Sequence, residues 1–122
     1  MERQTRQRDA LLEAFTLAGR PLTAQEAHQL ASKTVRRIGI GTVYRNLRTF
    51  VDEALLTPVD LPGEALRYEL AGKDHHHHFQ CRECDRVFDV AGCSSALHKG
   101  VPKGFRVDAH EVVLYGACAR CA

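Results

Sequence analysis

Two cysteine pairs and a run of four histidines hold most of the chemistry available to this 122-residue chain. Cys81 and Cys84 are separated by two residues, and Cys118 and Cys121 repeat that spacing. One such pair reads as a redox motif or a surface accident. Two together supply four thiolates, which suits tetrahedral Zn²⁺ and leaves no open position, so the expected role of the ion is structural. A site of this kind ties residue 121 to the middle of the second half of the chain. Two unrelated surface pairs are the alternative.

The histidines occupy positions 75–78, immediately before the first cysteine pair. An internal run that abuts a Cys-x-x-Cys is not a purification tag. On a β-strand, side chains alternate between faces, so His75 and His77 point one way and His76 and His78 the other. One strand can then feed two metal sites. Imidazole binds borderline divalent ions such as Zn²⁺, Fe²⁺, Ni²⁺ and Co²⁺. Two histidines do not complete a coordination sphere, and the candidate partners are Glu69, Asp89, Cys93, His98 and His110. A polar strand without ligands is the alternative. Cys93 reads equally as a small buried hydrophobe or as a ligand. His28, on a helix with no local partner, reads as structural. Catalytic zinc needs an open position and a nearby base. Glu69 and Glu111 could be nominated, but the chain has no His-Glu-x-x-His helix, deaminase pattern or glycine-rich phosphate loop. It is read as a non-enzyme.

The elements that would position these groups divide the chain. Ala10, Leu11, Ala14, Phe15 and Ala18 fall at helical spacing, and Gly19 ends that helix. Thr23 and Glu26 form a capping box for a second helix with Ala27, Leu30 and Ala31 on its buried face. A third helix carries Val43, Leu47, Phe50 and Val51 on one stripe and Thr42, Arg45 and Arg48 on the other. Two short apolar runs then flank Pro62-Gly63, which predicts a β-hairpin. Three helices and a hairpin make a winged helix-turn-helix, whose third helix can enter a major groove. A small helical bundle with no nucleic-acid role is the alternative. The expected fold class is α+β, with a DNA-binding domain over 1–70, a hinge at 71–74 and a small α/β dimerisation domain over 75–122. Strands are predicted through the histidines, at "RVFDV" and within "GFRVDAHEVVLYGAC", with a short helix at "SSALHKG". The second part is too short to hold much core alone and needs a metal staple or a partner chain.

Net charge is only +2, yet nine arginines and lysines of the chain (from Arg3 to Arg48) lie in its first fifty residues against few acids. That asymmetry favours a nucleic-acid-facing front half. No apolar run reaches the length of a membrane span, and the start lacks the apolar core of a secretory signal. A cytoplasmic protein is expected, where cysteines read as metal ligands rather than disulfides.

A basic winged helix, a hinge, a histidine-rich strand and paired Cys-x-x-Cys, in that order, resemble the ferric uptake regulator family of metal-dependent bacterial transcription regulators. "TRQRDALLEAF" looks like its first helix, "IGIGTVYRNLRTFVDEALL" like its recognition helix, and "HHHHFQCRECDRVFDV" with "HEVVLYGACARC" like its metal-binding half. The resemblance implies structural zinc on Cys81, Cys84, Cys118 and Cys121. It implies a sensing site of Glu69, His76, His78 and Asp89 that bridges the two domains, and a further site with His75, His77 and His110. Tyr44 and Arg45 match residues that face DNA, with Arg8 near the backbone. The family implies a homodimer on an AT-rich palindromic operator, acting as a repressor when a second, regulatory divalent metal is bound. Zinc is favoured here, with manganese, iron or peroxide sensing, or a zinc-stabilised protein-interaction module, as alternatives. Three positions depart from the pattern. Arg20 stands where many members place a sensing histidine, so Asp60 or another group would have to substitute. Cys93 falls where glutamate is usual and is taken as a ligand of the further site. Gly41 replaces a common small polar residue or alanine at the start of the recognition helix.

Overall fold

The computed structural model describes residues 2–93 and 95–122. It divides into two compact units, residues 1–72 and 73–122.

The first unit is built around three helices. Helix α1 (Glu2–Ala18) buries Ala10, Leu11, Ala14 and Phe15, the stripe that the helical spacing predicts. Gly19 closes it with φ +63°, and its N–H donates to the Phe15 carbonyl. This is the left-handed cap that glycine adopts without a Cβ penalty. Strand β1 (Leu22–Thr23) leads directly into helix α2 (Ala24–Ala31). Thr23 caps α2 in both directions: its side chain accepts from the Glu26 N–H, and the Glu26 carboxylate accepts from the Thr23 N–H. Helix α3 (Ile40–Asp52) buries Val43, Leu47 and Phe50. Its start, at Gly39, has no side-chain cap. Instead, the loop before it is held from α2, where the His28 Nε2–H donates to the Ile38 carbonyl at 2.6 Å.

Strands β2 (Leu56–Val59) and β3 (Arg67–Leu70) form the predicted antiparallel hairpin. Its tip uses Pro62 followed by Gly63 at φ +72°, with the Glu64 N–H donating to the Leu61 carbonyl. That is the sequence a type II turn requires. β1 pairs with the other edge of β3, giving the sheet order β1-β3-β2. The two-residue β1 was not anticipated, because its length is below what alternation can reveal. Helices α1 to α3 with this three-stranded wing constitute a winged helix-turn-helix.

In the second unit, β4 (His76–Cys81) lies between β5 (Val87–Ala91) and β6 (Val113–Gly116). β4 and β5 are antiparallel, with His78 opposite Asp89 and Phe79 opposite Phe88. β4 and β6 are parallel, with Phe79 opposite Leu114. The parallel pair requires a long crossover, which includes a short 3-10 helix (Ser95–Gly100). Of the strand material expected within residues 104–118, with an interruption near Asp108-Ala109, only Val113–Gly116 forms a strand. Phe105 is 70% exposed, and among the described residues no strand pairs with the segment around it. Among the described residues of this unit, Cys81 and Val87 are the only fully buried hydrophobic side chains. So thin a core cannot offset chain entropy by apolar burial alone.

Candidate metal centres and nucleic-acid interface

Cys81, Cys84, Cys118 and Cys121 converge, their sulfurs all within 4.8 Å of one another. β4 ends at Cys81, and the turn after it carries Cys84. β6 runs parallel beside β4 and delivers Cys118 and Cys121 to the same end. The Cys84 and Cys118 sulfurs are 3.9 Å apart. Two thiolates on one tetrahedral Zn²⁺, with Zn–S bonds of about 2.3 Å, would stand about 3.8 Å apart. Burial alone would raise the Cys81 thiol, but N–H donors from Cys118, Cys84 and Glu83 outweigh it and bring it down to about 6. Hydrogen bonds from Cys118, with burial, push Cys121 up to about 12. Four thiolates crowded without a cation repel, so protons are shared unevenly among them. The donor set fits zinc.

The histidine strand alternates as expected. On one face, the His76 and His78 Nε2 atoms both lie 3.7 Å from Asp89 Oδ1. That oxygen is buried and has no hydrogen-bond partner among the described residues. The separations are too long for hydrogen bonds and close to the roughly 3.3 Å between nitrogen and oxygen ligands on a tetrahedral zinc. His76 Nδ1–H donates to the Asp74 carbonyl at 2.8 Å. When the ring is neutral, this bond leaves its lone pair on Nε2, facing Asp89. Lys73 holds the other Asp89 oxygen at 2.5 Å, a partner for which the sequence carries no signal. Glu69, the fourth expected member, lies on β3 of the first unit, opposite Thr57.

On the other face, His75, His77, Cys93 and His110 bring one potential ligand atom each to within 4.8 Å of the others. His110 is the hub: its Nε2 is 2.7 Å from Cys93 Sγ and 3.2 Å from His75 Nε2. His77 is 6% exposed, and its Nε2 is buried with no hydrogen-bond partner among the described residues. Burial, with the neighbouring imidazoles His75 and His110, holds its pKa below the usual histidine value. It is therefore kept in the neutral form that binds metal. Its Nδ1 accepts from the Val112 N–H, so ligation through Nε2 requires that this bond be given up. Cys93 is exposed, which removes the reading as a buried hydrophobe.

Two other candidates are committed elsewhere. Arg20, at the position of the family's usual histidine, pairs with Glu26 at 3.0 Å and contacts the Pro21 carbonyl. His28 serves the loop before α3, as its structural reading requires.

The remaining candidate residues lie on α3, with Arg8 on α1. Tyr44, Arg45 and Arg48 are exposed on the face opposite Val43 and Leu47, and Thr42 is half-buried. Arg45 donates to the Thr42 hydroxyl at 3.0 Å, and Gln25 to the Tyr44 hydroxyl at 3.3 Å. Arg8 pairs with Glu53 at 3.0 Å and lies over the Phe50 ring. A hollow of about 430 Å³ between α1 and α3 is lined by Gln4, Arg8, Thr42 and Arg45. Its rim is polar and cationic, as a phosphate-facing surface must be.

A winged helix followed by a small domain with two histidine faces and a four-cysteine cluster defines a metal-binding regulator of transcription. The ferric uptake regulator family model matches residues 2–115, and the chain belongs to that family. Its members are transcription regulators responsive to metals, not enzymes. The ferric uptake regulation protein 2 of Mycolicibacterium fortuitum is 30% identical over 125 residues, spanning 98% of this chain and 86% of that protein. A solved zinc-bound manganese uptake regulator superposes with a TM-score of 0.81 at 25% identity, covering 92% of this chain and 87% of the other. FurB of M. tuberculosis, described as a zinc uptake regulator, superposes at 0.54 with 26% identity, covering 98% and 95%. Among the described residues, no helix is long and apolar enough to cross a membrane.

Proposed function

We propose that this chain is a cytoplasmic repressor that binds an AT-rich palindromic operator as a homodimer when a divalent metal, zinc by preference, occupies the sensing site. The observation that carries this reading is the convergence of His76 and His78 on the unpartnered Asp89 Oδ1 at 3.7 Å. Glu69 lies seven residues before His76 in the chain, across the 71–74 hinge. We assign it as the ligand from the first unit on its carboxylate chemistry and this place in the sequence. A divalent cation supplies a common point of attachment there. Nε2 of His76 and His78 and the carboxylates of Asp89 and Glu69 hold it. That grip selects one disposition of the two units. In a dimer, the disposition sets the spacing of the two α3 helices, which must meet half-sites about one helical turn apart. Occupancy shifts the equilibrium only by the difference in metal affinity between the two shapes, about 1–3 kcal/mol.

The imidazole nitrogens of the sensing site, and the thiolate of Cys93 in the further site, favour Zn²⁺, as does the likeness to FurB, described as a zinc uptake regulator. The carboxylates of Asp89 and Glu69 favour a second reading, a manganese or iron sensor. The test is titration of the protein, with its four-cysteine site filled, against Zn²⁺, Mn²⁺ and Fe²⁺ while operator binding is followed by fluorescence anisotropy. Zinc should give tight binding at the lowest free metal. A response to manganese or iron alone overturns the zinc preference, and no retention of any palindrome under any metal leaves a zinc-stabilised interaction module.

A further inference from the structure

His110 uses both of its ring nitrogens. Nε2 faces Cys93 Sγ and His75 Nε2, while Nδ1 lies 3.1 Å from Nε2 of His98. The His98 and His110 rings meet nearly edge to face, with centroids 5.1 Å apart at 75°. We infer that His98 is a positioning residue of the further site: it accepts the His110 Nδ1–H and so presents the His110 Nε2 lone pair to a divalent metal beside Cys93 and His75. This rests on the reading of that cluster as a metal site.

A neutral imidazole carries one proton. If Nε2 of His110 gives its lone pair to a metal, the proton sits on Nδ1 and needs an acceptor. His98 Nε2 is the atom at that distance. Because it addresses the far nitrogen of His110, His98 stands outside the coordination sphere. Such an acceptor orients the ligand ring and makes it more basic, which raises metal affinity. The pair also has a topological logic. His98 lies on the short 3-10 helix and His110 just before β6, so the bond fastens two points of the crossover to one another.

Co²⁺ titration of the full chain, with zinc already in the four-cysteine site, tests this. Cys93 is then the one thiol left to bind cobalt, so a sulfur-to-cobalt charge-transfer band reports the further site alone. His98→Ala should leave the band's position and intensity unchanged and raise the Co²⁺ dissociation constant about 10–100-fold. His98→Gln, whose carbonyl can accept the same proton, should recover most of the affinity. An unchanged dissociation constant, or no rescue by glutamine, overturns the inference. A shifted or weakened band in saturated His98→Ala overturns it in another way, by making His98 a ligand. If the wild-type chain shows no such band, the metal site itself fails and the inference with it. Should His98→Ala not fold, His98→Phe against His98→Gln makes the same comparison.

Discussion

The Nε2–H of His28, in the middle of α2, is bonded to the carbonyl of Ile38 at 2.6 Å, one residue before the Gly39 start of α3. Gly39 provides no side-chain cap, and this bond instead holds the loop residue just before α3 from α2. His28→Ala leaves a carbonyl beside the buried Ile38 without its donor. It should cost about 1–3 kcal/mol of stability. Thermal unfolding checks that, and operator affinity should fall in parallel because the start of α3 is released.

Loss of one thiolate should be felt throughout the second unit. Cys81→Ser or Cys118→Ser, or a strong chelator, should strip zinc and unfold residues 73–122, whose apolar core is too small to persist alone. Zinc analysis with proteolytic mapping measures both effects. A zinc-free protein with residues 73–122 still protected would refute the prediction.

In the proposed sensing site, Lys73 would compete with metal for Asp89. Its ammonium neutralises the carboxylate at 2.5 Å, with both side chains roughly a quarter exposed. Partly exposed pairs of this kind contribute about 0.2–1 kcal/mol. Lys73→Met should therefore raise regulatory metal affinity by up to about fivefold. Asp89→Ala should lower it by much more, since it removes a ligand. Chelator competition distinguishes the two.

Acid should destabilise the fold through His77. Burial holds its folded pKa below the 6.5 of the free side chain. As pH falls through about 6.5, the unfolded chain takes up a proton that the folded one refuses, so stability declines. The decline ends below the folded pKa, where both states are protonated. Denaturant titrations with zinc in the four-cysteine site and the histidine sites free should show this slope, and His77→Asn should flatten it.

On α3, Arg45→Ala should weaken operator binding by about 1–3 kcal/mol if the guanidinium reads a base edge. If it contacts phosphate, the loss should be uniform across sequences and the salt dependence should fall by about one unit of slope. Anisotropy at several salt concentrations decides between them.

Much of this molecule was legible in its residues because its signals are local or strictly periodic. The capping box at Thr23 and Glu26, the Pro62-Gly63 turn and the buried stripe of α3 each follow from spacing within a few positions. The opposite facing of His76 with His78 and of His77 follows from the two-residue period of a strand. What could not be read depends on register between distant segments. The pairing of His78 with Asp89, the bond from His98 to His110 and the grip of Lys73 on Asp89 all arise from strands and a crossover brought together by folding. Residues 105–111 show the opposite failure, for the strand material expected there forms no strand among the described residues.

The parallel pairing of β4 with β6 would bear on how this protein is degraded if the further site binds metal. To lay β6 on the far side of β4 from β5, the chain must travel across the sheet through residues 92–112, of which the described residues make few ladder bonds. Cys93, His98 and His110 are all on that bridge. If the proposed further site takes an ion, that ion would rivet the bridge to the histidine strand and shield it from nicking. Scarcity of metal would then shorten the life of the regulator as well as silence it.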